Sequence, residues 1–555
     1  MKKNELPATG FFSLVLHAHQ PYVLHHGTWP HGLEWLLEAA AETYLPFLRT
    51  VRRLHEEGIT VCVHLSLSPV LLQQLIHPVF KSELPAYLRR KITAAREDES
   101  FFELAGEQHL RNLAHQWAER FQIALEELKF YNGDLVEGFR RAQSQGVLLL
   151  TSAATHGYIP LLGTDASAKA QFRTAVEVHE QQLGSRPRGV WLPECGYRPA
   201  GNWHFPVQPD GLNQPQDEMR AGTESILAES GLEYTFVDAP LVEDAQTVPV
   251  TNPPVKLSAY LPYMIAGSNV AVFPRDPRTA FQVWSPQFGY PGDFHYLDFH
   301  KKRWPGGHRY WRVTGTELGM EAKQPYYPDA AAESARGHAE HLVALIAETL
   351  RNQKRSNRTA QHPPILTAPF DMELFGHWWH EGLQFLEHLF RLLHAETNGV
   401  RAIACDEYLK TYGIAANIRM HEGSWGTNGD HSVWLNSETS QLLSTVYAAE
   451  LFVRDSAKLK QWTDGKTGER IARQLCRELL LMEASDWPSL ITTGAARDYA
   501  EDRFRGHAEA FQLLRSIWNE WLATATLSEQ QQQQLEELET LDGVFSRLHS
   551  ADWKS

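Results

Sequence analysis

The sequence is poor in cysteine, in long apolar runs and in positive charge. Its four cysteines, Cys62, Cys195, Cys405 and Cys476, are spread over 555 residues with no metal-type or CxxC spacing. That excludes a disulfide framework and a cysteine-built zinc site, and suits a reducing compartment, so the expected location is cytoplasmic. No apolar run reaches the roughly 20 residues that span a bilayer, so no transmembrane segment is expected. The opening stretch 1–20 carries two lysines, but its apolar part is short, lacks a small-residue cleavage site and runs into histidines. It reads as a first core strand rather than a leader. Asp and Glu number 67 against 52 Lys and Arg, a formal net charge of −15. Such a surface repels polyanions, so no nucleic-acid partner and no anionic membrane partner is expected.

Aromatic residues, by contrast, are plentiful: 17 Trp, 18 Tyr and 25 Phe, with many of the tryptophans in polar, Gly-rich stretches where core packing does not account for them. At about 150 residues per domain, the length suggests roughly three or four units.

Short apolar or β-branched runs alternate with amphipathic helical patterns through the first 410 residues, which predicts βα units and a parallel sheet or barrel. Strands are predicted at 10–17, 59–67, 146–153, 188–193, 233–238, 269–273 and 364–370, and helices at 33–57, 166–183, 217–230 and 330–352. The charged, helix-forming stretch 77–145 reads as an inserted helical subdomain, leaving 1–76 and 146–412 for the α/β unit. After about 412 the strand patterns stop and a C-terminal all-helical domain, 413–555, is expected. The glutamine run 530–534 reads as a polar helix face.

In a βα barrel the reacting groups follow the C-terminal ends of the strands. Those ends are polar here: His17 to Tyr22 after the first, His156 after the third, Glu194 in WLPECGY after the fourth, Arg275 after the sixth and Asp371 after the last. Gly196 would let the backbone beside Glu194 approach a neighbour closely. Two carboxylates among aromatic residues at one mouth are what glycoside cleavage requires, one attacking the anomeric carbon and the other protonating the leaving oxygen. Blander roles stay open: a strand-end Glu is often an N-cap or ion-pair partner, and Asp371 could cap a helix near 382–393. His17 and His19, two residues apart on one strand face, could with His156 begin a metal site of a deacetylase-like barrel. They could equally be neutral hydrogen-bond donors to sugar hydroxyls, and no metal or cofactor is expected.

At these residues the chain resembles glycoside hydrolase family 57, and within it the 1,4-alpha-glucan branching enzymes. The resemblance is carried by HAHQPY at 17–22, WLPECGY at 191–197, FDMELFGHWW at 370–379 and SWGTNGDHSVWLN at 424–436, with THGYIPLL, AVFPRDP, QVWSPQFGYPGD and ASDWP in the same order. It spans nearly the whole chain and implies an α/β fold: an incomplete (β/α)7 barrel with a helical insertion and a C-terminal helical domain. It also implies a retaining double displacement with Glu194 as nucleophile and Asp371 as general acid/base, the Asp371 site being the drier of the two. Implied substrate-binding residues are Arg275, Gly292, Trp425 and Asp486, with Trp284, Trp379 and Trp434 as aromatic platforms, although any one of these tryptophans could instead be interdomain packing. The implied partner is an α-glucan such as amylose, amylopectin or glycogen, handled by a monomer or small homo-oligomer. One segment departs from the branching pattern. Where a Tyr on a loop after strand five would shield the covalent intermediate, residues 240–269 are longer and differently composed, and Tyr260 and Tyr263 are the candidates. The readings therefore span a branching enzyme, a family 57 α-amylase or 4-α-glucanotransferase, an inactive glucan-binding protein and a metal-dependent deacetylase.

Overall fold

The computed structural model describes residues 9–250, 256–285, 287–315, 317–356 and 362–554. Residues 1–8 of the opening stretch, 251–255 of the 240–269 segment and Pro286 of the 282–293 motif lie outside the described residues. Seven parallel strands carry the architecture: β1 (Gly10–Ala18), β2 (Val63–Leu67), β3 (Val147–Leu150), β4 (Gly189–Val190), β5 (Tyr234–Asp238), β6 (Ala271–Arg275) and β7 (Ile365–Asp371). β1 lies between β7 and β2, β2 pairs with β3, and β5 lies between β4 and β6. Thr151 just past β3 bridges Val190 of β4, and Arg275 of β6 meets Thr367 of β7, so each of the seven has a neighbour on both edges. Every residue of β1 and β2 is buried, as strands covered on both faces require.

Three expectations change in detail. The predicted strand 59–67 forms only from Val63, because the lower half of that β1 edge, Gly10 to Phe12, is taken by a late strand, Val400–Ala402. The predicted helix 217–230 begins only at Thr223. Before it, Glu218–Arg220 pairs antiparallel with Gly201–Trp203, held by Asp165, which accepts from Arg220 Nε at 2.8 Å and from the Ala221 amide at 2.9 Å. Strands also do not stop at 412: Asn417–Arg419 joins Tyr263–Ile265 and Gln246–Thr247.

The helix expected over 33–57 is one rod, α-helical over Leu33–Ala39, π-helical over Ala40–Tyr44 and α-helical again over Leu45–Glu56. Its last section buries Leu45, Phe47, Leu48, Val51 and Leu54 at helical spacing, each contributing about 2 kcal/mol. The π turn directs three consecutive side chains at the loop after β7. Glu42 pairs with Arg309, Thr43 Oγ1 accepts the His377 amide at 3.1 Å, and Tyr44 donates to Glu373. The insertion is a helical hairpin, α1 (Pro78–Leu104) and α2 (Gln108–Phe130), and Asp98 of α1 binds Arg303 and Tyr310.

The C-terminal region is helical: α3 (Ser440–Ser456), α4 (Lys466–Met482), α5 (Asp486–Thr493), α6 (Arg497–Thr524) and α7 (Glu529–Leu541). The glutamine run lies on α7, which opens with a capping box at Ser528. These helices dock on the strand ends. Gln171 donates to Glu483 at 2.8 Å, Arg503 to the Tyr22 carbonyl at 3.2 Å, and His26 sits 2.7 Å from Asp542. Among the described residues no helix is long and apolar enough to cross a membrane.

Candidate active site

The C-terminal ends of β1, β3, β4 and β7 open into one cavity of about 540 Å³, whose walls include His19, His156, Glu194, Asp371, Trp425 and Asp486. Glu194 sits just past β4, and both it and Cys195 have a left-handed backbone, φ +59° and +50°, as does His156 at +61°. Each such non-glycine residue costs about 1 to 3 kcal/mol, a strain that persists where surrounding structure imposes it. Here the surroundings are visible. The Trp425 amide donates to the Glu194 carbonyl at 3.0 Å, and Tyr197 and Gly423 exchange two backbone bonds. A Cβ on Gly196 would come within 2.7 Å of the Tyr158 ring, so this turn needs glycine there.

The Glu194 carboxylate accepts Trp425 Nε1–H at 2.7 Å on one oxygen and Ser485 Oγ–H at 3.2 Å on the other. Its side chain neither caps a helix nor lies in a surface ion pair. Burial pushes its pKa up, and the two donors oppose that rise. Trp425→Phe keeps an aromatic side chain but removes one donor, so the Glu194 pKa should rise further. The acidic limb of kcat/KM is then expected to move up by about one pH unit, and an unmoved limb in a well-folded variant contradicts this role.

Ser66, His17, His156 and Ser485 form a hydrogen-bonded row. His17 Nδ1 meets Ser66 Oγ at 3.1 Å, His17 Nε2 meets His156 Nε2 at 3.0 Å, and His156 Nδ1 meets Ser485 Oγ at 2.9 Å. Burial, followed by the charge on His19, holds His17 and His156 well below the usual imidazole range, so both are neutral. Each hydroxyl has one proton, so the row points either toward the Thr151 carbonyl, 3.1 Å from Ser66 Oγ, or toward Glu194. A carboxylate is the stronger acceptor, so with Glu194 ionised every donor in the row points toward it. The ring nitrogens of His17 and His156 are thereby used within the protein, and the expected donation to sugar hydroxyls is not available from them.

Burial works against a charge on His19, but the Asp486 carboxylate, 3.0 Å from Nε2, with Glu373 and Glu194 beyond it, raises its pKa above the ordinary imidazole value. His19, His156 and Asp486 are close enough to share an ion. The two rings, however, stack face to face with centroids 4.1 Å apart and planes 16° apart, which sets their in-plane lone pairs side by side instead of converging. That is a poor fit to the tetrahedral ligand geometry a zinc site needs.

Asp371, at the end of β7, makes no side-chain cap bond to the turn Met372–Leu374 that follows it, and the N-cap of the helix Gly382–His394 is Glu381. Burial, then the carboxylates of Glu373 and Glu194, push Asp371 well above the usual carboxylate range. Among the described residues nothing donates a hydrogen bond to it. Burial is the leading cause at both carboxyls; beyond it, Glu194 receives two donors that oppose the rise, whereas neighbouring carboxylates add to it at Asp371. Glu373, missed by sequence reasoning, is buried beside it, and burial lifts its pKa to about 7.

Several expected binding residues lie elsewhere. Trp379 is buried against Phe385 and Tyr296, while its neighbour Trp378, 40 % exposed, lines the cavity. Trp434 is buried and stacks on Tyr158 at 4.1 Å, joining the C-terminal region to the strand ends. Gly292 lies in a turn outside the cavity lining, after Tyr290, which stacks on His338. Tyr260 is buried away from the cavity, donating to Asp276 at 2.9 Å, and Tyr263 bonds Ser258. Neither reaches Glu194. Arg275 stands behind the wall, 3.2 Å from Asp238 and over the Trp425 ring at 5.4 Å. Trp284 sits 6.4 Å from Trp378, 37 % exposed.

Residues 13–420 match the model of glycosyl hydrolase family 57, and residues 445–553 match that of the 1,4-alpha-glucan branching enzyme C-terminal region. A curated 1,4-alpha-glucan branching enzyme of Thermococcus kodakarensis is 39 % identical over 97 % of this chain and 77 % of its own. The crystal structure of the family 57 branching enzyme from Thermococcus kodakaraensis has a TM-score of 0.89 at 38 % identity, covering 99 % of this chain and 97 % of that one. The α-amylase AmyC of Thermotoga maritima has a TM-score of 0.81 at 27 % identity, covering 98 % and 99 %. An α/β fold with a helical C-terminal region, matched in sequence and structure along almost its full length, places this chain in glycosyl hydrolase family 57.

Proposed function

We propose that this chain is a retaining 1,4-alpha-glucan branching enzyme working on amylose, amylopectin or glycogen. Its seven parallel strands are then an incomplete (β/α)7 barrel formed by 1–76 and 146–412, with 77–145 as the inserted helical subdomain and 413–555 as the C-terminal domain. In the first half-reaction Glu194 Oε attacks the anomeric carbon while Asp371 passes its proton to the departing glycosidic oxygen, leaving a glucosyl ester on Glu194. In the second, Asp371 takes the proton of a glucan 6-hydroxyl, whose oxygen displaces Glu194 and forms the α-1,6 bond. The observation that carries this reading is the asymmetry of the two carboxyls. Two donors favour the ionised form of Glu194, whereas Asp371, which among the described residues receives none, is pushed well above the usual carboxylate range. His19, Trp378, Trp425 and Asp486 would line the sugar-binding wall. We place the enzyme in the cytoplasm as a monomer or small homo-oligomer, without nucleic-acid or membrane partners.

One observation favours a second reading. Tyr260 and Tyr263 point away from the cavity, so neither shields the ester from water, and an α-amylase outcome follows if nothing else does. Incubation with amylose decides between them, with α-1,6 anomeric protons counted by NMR against new reducing ends. Branching predicts accumulating α-1,6 links with few reducing ends, and a predominance of reducing ends makes water the acceptor.

A further inference from the structure

Glu373 is a third carboxylate in the cavity wall, two residues beyond Asp371, and the mechanism above does not use it. It is 3 % exposed, and its Oε1 accepts the His19 amide at 3.1 Å and the Tyr44 hydroxyl delivered by the π turn. Among the described residues no Lys or Arg lies within ion-pair distance of it. His19, just past β1, and Tyr44 from the rod bond it, Asp371 and His377 share its loop, and Glu194 after β4 and Asp486 of α5 line the same cavity, with Arg275 facing Asp371. Of two adjacent carboxyls that cannot easily both ionise, the one receiving hydrogen bonds loses its proton first. Among the described residues Glu373 receives two and Asp371 none.

We propose that Glu373 is a positioning residue for the acid/base group: its carboxylate, anchored by Tyr44 and the His19 amide, supplies the negative charge that keeps the proton on Asp371. The assignment rests on Asp371 being the acid. Above about pH 7, where Glu373 has lost its proton, the pair carries one proton, and the hydrogen bonds decide that it sits on the carboxyl facing the glycosidic oxygen.

Glu373→Gln preserves the shape and both acceptor contacts but removes the charge. Without it the Asp371 pKa falls, so with amylose the basic limb of kcat/KM is expected to move down by about one pH unit. A maltooligosyl fluoride needs no proton on its leaving group, so first-turnover fluoride release should be unchanged. Tyr44→Phe keeps the charge but lets it settle on Asp371 instead. Its amylose plateau is expected to fall several-fold with the limb in place, and fluoride release again to hold. A merely structural role would slow both donors together. An unmoved basic limb in Glu373→Gln, or a full amylose plateau in Tyr44→Phe, overturns the proposal. If Asp371→Asn slows the fluoride donor as much as amylose, Asp371 is not the acid, and the reading beneath the proposal fails with it.

Discussion

Glu194→Gln is expected to lower glucan turnover by on the order of 10⁴-fold or more while raising the thermal midpoint. The loss follows from chemistry: an amide oxygen does not form the glucosyl ester. The gain follows from burial. Burial raises the cost of the Glu194 charge, and neutralising the side chain removes that desolvation penalty while leaving the backbone as it is. Activity and a differential melt on one purified sample test both halves. Near-normal turnover would mean the nucleophile is misassigned. Asp371→Asn provides the complement, because a slow fluorinated donor should then leave its mass on the peptide bearing Glu194, and a label elsewhere excludes that ester.

A chain ending at residue 438 is expected to have no measurable glucan turnover, although it keeps strand Asn417–Arg419 and Trp425. What it loses is Ser485 and Asp486, the last donor of the row that faces Glu194 and the counter-charge of His19. The remaining groups stay half-buried without partners, at about 1 to 3 kcal/mol for each unsatisfied polar atom. Because the truncation also strips the packing of α3 against Trp434 and Tyr158, a full-length Ser485→Ala, Asp486→Asn double variant separates the two effects. It should fold and still lose about 10²-fold or more in kcat/KM. Full activity in either protein would show that the helical region is only a scaffold.

Much of this site was legible because strand ends are legible. An apolar run that stops at a polar cluster marks where a strand leaves the core, and His17, His156, Glu194 and Asp371 were found by that rule. The rule weakens beyond the strand. Trp378 and Trp379 lie in an irregular loop with no period, and only the packing of Trp379 onto Phe375 and Phe385 decides which of them faces the cavity. The i, i+2 spacing that linked His17 with His19 also links Asp371 with Glu373, so that signal was present and unused. Ser485 had no comparable signature, since a hydroxyl beside an acidic residue is common on any surface. Tyr260 was misplaced for another reason: a loop's sequence length says how far it can reach, not where it is tied, and here the Asp276 carboxylate and the Ile365 amide hold it on the far side. The helix expected from 217 failed because its apolar spacing begins before Gly222, where the backbone is still extended.

The π turn at Ala40–Tyr44 makes part of the site depend on a count of residues rather than on their chemistry. A π turn is one residue more than its α-helical counterpart, so removing any one alanine before Glu42 would let the rod relax to plain α-helix with its buried stripe still in place. Glu42, Thr43 and Tyr44 would then be turned out of register with the bonds they make to Arg309, His377 and Glu373. Within a lineage, this helix can therefore exchange side chains freely along its outer face, while gains and losses of length are confined to the loops at its ends.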